Sequence, residues 1–293
     1  MKKKILVIIG DNLGIANDQI GYKDVAFMKF PVMINDEEFK ESEEYTAAYL
    51  IERFKKEKIT AHTQALLKGD LIKIVEAAKD NYDVIFHVMM GSNMSAATFQ
   101  MCEQVRKGYK DIIPIINIDT KQVISGVGSI LIRLTDILKT SDDIAEITAK
   151  ITEITTNTFT YLCLPDLGFL QRGGRIGKAK SLLGSILKII PVVGLLGDEA
   201  DLGMLPIGKG RTKQAANRVI IENIKQKMQK YKIETVKQIV IMHMENNDFP
   251  ELKDLEVQIK RELKFEKLII GHPRFCEAVH TGPGAWIASF SLK

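Results

Sequence analysis

Residues 168–192 read GFLQRGGRIGKAKSLLGSILKIIPV and join a glycine turn, a basic cluster and a long apolar run. Gly173 and Gly174 lie among Arg172, Arg175, Lys178 and Lys180, and the run that follows is broken by Gly184, Ser185 and Lys188 before Pro191 stops it. Glycine lets backbone N–H groups approach a ligand closely, and clustered cations draw an anion. A greasy wall beside them suits a ligand with an anionic head and an apolar body. Far downstream, HTGPGAW from His280 to Trp286 sets a histidine against a glycine–proline turn.

Upstream of this stretch, apolar runs alternate with amphipathic segments, the pattern of an α/β chain. Ile5–Ile9, Val84–Met90 and Ile112–Ile118 suit buried parallel strands. Leu67, Leu71, Ile74, Val75 and Ala78 share one helical face, as do Ile130, Leu131, Leu134, Ile137 and Leu138, and Ile144, Ile147, Ile151 and Ile154. Downstream, Ala215, Val219, Ile220 and Ile224 mark one helix, and Leu252, Leu255, Ile259 and Leu263 another. Strand-like runs at Val236–Met242, Lys267–Gly271 and Ala285–Leu292 flank them, and Trp286, Ala288, Phe290 and Leu292 alternate as in a half-buried strand. A composition shift near Thr155–Tyr161 sets the expected boundary between an N-terminal α/β domain, 1–158, and a C-terminal α+β domain, 159–293.

With 293 residues, 45% hydrophobic and 27% charged, the chain has ample capacity for a core. The opening MKKKILVIIG reads as a strand start, because its apolar run ends at Ile9 and Asp11 follows. No apolar stretch reaches the roughly 20 residues that span a bilayer. Cys102, Cys163 and Cys276 are too few and too scattered for a disulfide framework, so a reducing cytoplasm is the expected location. A net charge of +4 argues against nucleic acid as partner. Between Gln171 and Arg218, however, nine Lys or Arg face three acids, a local excess of +6.

Taken with these motifs, the chain resembles the DegV family of bacterial fatty-acid-binding proteins. The likeness rests on Leu167–Ile176 with its GGRI turn, on Ile190-Pro191-Val192, and on HTGPGA from His280 to Ala285. Asp119-Thr120 with Ser125-Gly126-Val127-Gly128, Lys209-Gly210-Arg211-Thr212 and Ile241-Met242-His243 resemble further family segments in the same order. The resemblance implies a two-domain fold, a parallel-sheet α/β domain and an α+β domain, with a lipid site between them. It also implies a carrier without cofactor of its own, which presents a fatty acid to a partner fatty-acid kinase that makes acyl phosphate for phospholipid synthesis. Transient contact with a membrane surface would accompany that role.

The resemblance also assigns residues. His280, with Thr281 behind it, is the expected carboxylate ligand. Ser92, Asn93 and Ser95 fall on a family serine segment, and Ser95 is placed to cap the following helix. His62-Thr63-Gln64 falls on the family's T-S-Q, so either His62 replaces the head-group threonine or Thr63 takes over. The family's DST signature becomes Asp11-Asn12-Leu13. Gly173 would offer backbone to the head group, and Arg211 would neutralise it or its phosphorylated product. Arg172, Arg175 and Lys178 would form the docking face for the kinase.

The alternative is a serine-type esterase or thioesterase using Ser92 and His280 with Asp119 or Asp11, although no G-x-S-x-G elbow occurs. A lipid-sensing regulatory module is a third option. Gly126-Val127-Gly128 lacks the third glycine of a dinucleotide loop, since Leu131 stands there. His272, Cys276 and His280 have helical spacing, but Pro273 argues against a helix, so no metal site is expected.

Overall fold

The computed structural model describes residues 2–185 and 189–293. Strands β1 (Ile5–Gly10), β2 (Val25–Met28), β3 (Val32–Ile34) and β4 (Glu37–Phe39) precede α1 (Ala47–Lys56), β5 (Ala61–Thr63) and α2 (Lys68–Ala78). Next come β6 (Val84–Met89), α3 (Ala96–Gly108), β7 (Ile115–Asp119), α4 (Ser125–Thr140) and α5 (Ile144–Thr156). The chain continues through β8 (Thr158–Cys163), α6 (Gly168–Arg172), β9 (Ile190–Leu196), β10 (Leu205–Gly210) and α7 (Lys213–Tyr231). It ends with β11 (Val236–His243), α8 (Pro250–Glu262), β12 (Phe265–Ile270), α9 (Phe275–Thr281) and β13 (Trp286–Ser291).

Two main sheets result. The first is parallel, in the order β2-β1-β6-β7, and the second is mixed, in the order β10-β9-β8-β13-β11-β12. A small antiparallel sheet, β4-β3-β5, stands apart from both. In β1 the side chains divide by parity, as the pleat requires. Ile5, Val7 and Ile9 join α4 and α5 in one core, while Leu6 and Ile8 join α1 and α2 in another. That is why the run reads as continuously apolar. On β13, Trp286, Ala288, Phe290 and the adjoining Leu292 enter a third core with α7 and α8.

The other face of β13 departs from expectation. The strand is buried on both sides, not half-buried. Ser289 and Ser291 point at α4, where Ser289 Oγ lies 2.7 Å from Ser125 Oγ and 2.9 Å from Thr160 Oγ1. Ser291 Oγ lies 2.7 Å from Thr158 Oγ1 and 3.1 Å from Ser129 Oγ. Gln122 Nε2 donates to Thr158 O at 3.0 Å, and Gln238 Nε2 donates to Ser129 Oγ at 2.9 Å. A ladder of mutually satisfied hydroxyls and amides thus seats α4 on the second sheet, and its serines look polar in sequence only because their partners lie more than a hundred residues away.

Glycines permit close approach at two places on α4. A Cβ on Gly126 would strike Thr160 Oγ1, and one on Gly128 would strike the carbonyl oxygen of Leu13. The α4 glycines are therefore contact glycines, with no phosphate loop involved. Further along, 177–185 forms 3-10 turns and β9 carries the end of the apolar run that starts at Leu182. Ile186, Leu187 and Lys188 of that run lie outside the described residues. Among the described residues, no helix is long and apolar enough to cross a membrane.

Replacing Gly128 by Ala should lower stability by about 1–3 kcal/mol, because the carbonyl it meets is backbone and cannot rotate away. Gly69→Ala, in open space on α2, should instead add up to about 1 kcal/mol from helix propensity. Urea unfolding of both variants checks the contrast, and equal midpoints would show that α4 is not pressed against the loop at Leu13.

Candidate functional site

In an open parallel sheet, ligands bind outside the carboxyl ends of the strands, where the chain connections part to either side. Here that point lies between β1 and β6, since β1 continues to β2 on one side and has β6 on the other. The loops that leave these strand ends carry Asn12 and Met90, and both line a cavity of about 240 Å³. Leu162 of the second sheet, Leu170 of α6 and Met204 close its far side. Phe30, Met94, Val123 and Ile124 add to the apolar wall, which three methionines make adaptable in shape. Ile124 holds φ at 52°, a backbone state that costs a β-branched residue energy and that often accompanies binding sites.

The polar lining is concentrated on α9, β5 and the start of α3. His280 occupies the last turn of α9, and its Nε2 lies 2.8 Å from Thr63 Oγ1. Helix α9 begins at Phe275, just beyond Pro273, so the expectation of no helix there is corrected. Proline in fact precedes helix starts readily, its fixed φ being compatible with entry. Gly173 packs on the imidazole: a Cβ there would collide with Nδ1 and Cε1. Burial, and then the positive charge of Arg175, lower the His280 pKa to about 4, so the ring is neutral at pH 7. With its proton on Nε2, the ring donates to Thr63 and leaves the threonine hydroxyl hydrogen free to meet an acceptor in the cavity.

Ser95 does not cap α3 through its side chain. Its hydroxyl donates to Thr98 Oγ1 at 2.9 Å, which leaves the first-turn N–H groups beside the cavity that Ser95, Ala96 and Ala97 line. The positive end of the α3 dipole therefore adds to the field of Arg175. Arg175 itself is half-buried, lines the cavity and donates to Gly173 O. Thr281 also lines the cavity, its hydroxyl turned back on Glu277 O at 2.9 Å.

Other expected residues stand elsewhere. His62 is exposed on the outer face of β5, because alternation along that strand turns Thr63 inward in its place. Ser92 is held by the strand-end loop: its N–H donates to Asp119 Oδ1 at 2.9 Å, and its Oγ accepts from Lys121 Nζ at 3.1 Å. It does not line the cavity beside His280, so a Ser92–His280 nucleophile pair is not assembled. Asn93 is spent on the carbonyl of Ala200 at 2.7 Å. Arg211 is exposed and away from the cavity. Arg172 lies over the Phe169 ring at 4.5 Å, and Lys178 is exposed.

The sequence reading missed Glu277, and the burial of Asp11, on the β1 side. Asp11 is buried, accepting from Phe30 N–H at 3.1 Å and Cys276 Sγ at 3.6 Å, and burial raises its pKa to about 7. Glu277 lines the cavity and accepts from Gly14 N–H at 2.9 Å and Arg274 N–H at 3.0 Å, with burial pushing its pKa well up. The signal available was the helical spacing of Cys276 and His280, set aside with that of His272 because of Pro273. Among the described residues, no group of three His, Cys, Asp or Glu could hold a metal ion.

Known proteins share this fold. A family model described as "Uncharacterised protein, DegV family" matches residues 4–293. A DegV domain-containing protein of Clostridium perfringens is 26% identical, with 95% of each chain covered. A fatty-acid-binding DegV family protein of Thermus thermophilus has the same fold, with TM-score 0.88, 20% identity, and 99% of this chain and 100% of that one covered. A stearic acid-binding protein of Eubacterium ventriosum follows at TM-score 0.83 and 16% identity, covering 99% and 98%.

The folded protein holds His280 and His87 near pKa 4, below the usual value of about 6.5, so these two imidazoles bind fewer protons than in the unfolded chain between these pH values. Their contribution to stability should therefore be lost as pH drops from about 6.5 towards 4, while Asp11 and Glu277, whose pKa values are raised, contribute in the opposite direction. Imidazole NMR titration of the ligand-free protein should give a midpoint near 4 for His280, and a midpoint near 6.5 would refute its burial.

Proposed function

Because this chain belongs to the DegV family, we propose that it is a carrier that holds one long-chain fatty acid. The carboxylate meets the Thr63–His280 pair and the start of α3, and the tail lies along the wall of Met90, Met94, Leu162 and Met204. The observation that carries this reading is a cavity with one donor-rich, positive pole and a largely apolar lining. A desolvated carboxylate needs several converging donors, and this pole supplies a hydroxyl, exposed helix amides and the field of Arg175. Burial of a tail of about sixteen carbons contributes on the order of 10 kcal/mol before entropic costs. The fatty-acid and stearic-acid binding of the Thermus and Eubacterium proteins supports the same ligand class here.

The carrier then presents its head group to a separate kinase. Arg172 and Lys178, exposed beside the Gly173 turn that packs on His280, are the cations placed to meet an acidic partner. Lys213 and Arg218 contribute less to such a face, being paired with Glu251 and Glu262.

Native mass spectrometry of the purified protein should show a retained long-chain fatty acid, and a protein that is empty and takes up none from vesicles would overturn the reading. His280→Ala should weaken binding of hexadecanoate about fivefold to a hundredfold without unfolding the protein. Unchanged affinity would place the carboxylate elsewhere. Arg172→Glu with Lys178→Glu should slow acyl-phosphate formation by the kinase and flatten its salt dependence while leaving lipid affinity intact. Equal rates for the double variant and the unaltered protein would remove this face from the docking site.

A further inference from the structure

One carboxyl group ties together two cavity-lining residues from distant elements. Phe30, in the connection from β2 to β3, lines the cavity, and its N–H donates to Asp11 Oδ1 at 3.1 Å. Cys276 of α9 also lines the cavity, and its thiol donates to the same oxygen at 3.6 Å. Asp11 is held in turn by its own N–H, which donates to Met28 O at 2.9 Å. His280 follows Cys276 by one turn of α9 and shares its face. The contact at Asp11 therefore helps to seat the helix that carries the imidazole to Thr63.

The surroundings decide which form of Asp11 makes these contacts. The residue is 4% exposed, and its Oδ2 has no hydrogen-bond partner among the described residues. An ionised carboxylate so placed needs a paired cation or several donors. Its charged neighbours supply neither. Arg274 is spent on Ile15 O, Asn17 Oδ1 and Glu41. Glu41 is itself an acid, and Glu277 accepts from Gly14 and Arg274 N–H groups. Burial keeps the Cys276 thiol protonated, so it remains a weak donor. Burial likewise raises the pKa of Asp11 to about 7, against the smaller pull of the Phe30 N–H. An acyl chain shifts the balance further. Asn12, next in the chain, and Cys276, in contact, both line the cavity, so hydrocarbon there lowers the dielectric around the carboxyl and favours its neutral form.

We propose that Asp11 is a positioning residue of the lipid site, that it holds Phe30 and Cys276 in the cavity wall as a neutral carboxyl group, and that fatty-acid binding is therefore coupled to proton uptake. This rests on the fatty-acid reading above and adds to it a regulation of the same site by pH. The sign follows from linkage: the complex binds more protons than the free protein, so affinity falls as pH rises through the range in which free Asp11 ionises.

The test is calorimetric binding of dodecanoate to the full chain, stripped of lipid, between about pH 6.5 and 8.5, where the ligand's own carboxyl stays ionised. The affinity of the unaltered protein should fall about fivefold to tenfold across that range, and heats compared in buffers of different ionisation enthalpy should show proton uptake on binding. Asp11→Asn, which keeps an oxygen for the Phe30 N–H, should bind with an affinity independent of pH and without proton uptake. Asp11→Ala should bind more weakly at every pH, and Glu277→Gln should keep the slope. A flat profile in the unaltered protein, a slope that persists in Asp11→Asn, or full affinity in Asp11→Ala would overturn the assignment and leave the fatty-acid reading standing. Absence of binding by the unaltered protein at any pH, to dodecanoate and to hexadecanoate alike, would overturn both. Should the Asp11 variants not fold, Glu277→Gln decides: a slope lost there would assign the proton to Glu277 and overturn the role of Asp11.

Discussion

The seating of α4 is the constraint on which the rest of the molecule depends. One side of this helix buries Val127, Ile130, Leu131 and Leu134 in the core that also holds Ile5, Val7 and Ile9 of the first sheet. Its other side rests on hydroxyls of β8 and β13. On this side Gly126 brings the helix backbone close to Thr160, whereas Gly128 meets the loop at Leu13. The helix thus fixes the first sheet relative to the second. It also fixes Val123 and Ile124, the residues that lead into it and line the cavity.

With the sheets so placed, the cavity is assembled from parts distant in the chain. Residues of the β1, β6 and β7 loops meet β5, α6 and α9 around one volume. The polar groups divide by charge. At one pole, neutral His280, Thr63, Arg175 and the α3 terminus favour an anion; at the other, buried Asp11 and Glu277 have pKa values raised by burial. A low-dielectric site strengthens the pull of the first pole on an anionic head group.

Departures from the expected site have one common cause: the direction of a side chain is set by neighbours that the sequence does not list beside it. The pleat of β5, a strand of three residues, turns Thr63 inward and His62 outward. Arg175 looked like a surface cation, yet the fold of the GGRI turn directs it to the cavity. Ser92 looked like a ligand residue, yet Lys121 and Asp119 hold it in the loop. Pro273 suggested an irregular segment, but the helix starts two residues later and places Cys276, Glu277 and His280 on one element.

What the sequence by itself determined is what local periodicity and motif order encode. The buried parallel strands, the amphipathic helices, the joint order of GGRI and HTGPGA, and His280 and Thr63 as candidates all follow from residues close in the chain. What only the tertiary structure decided is which of those candidates meet. Thr63 and His280 are 217 residues apart and come within 2.8 Å. Burial and the approach of distant groups are properties of the packed molecule, and no window of sequence contains them.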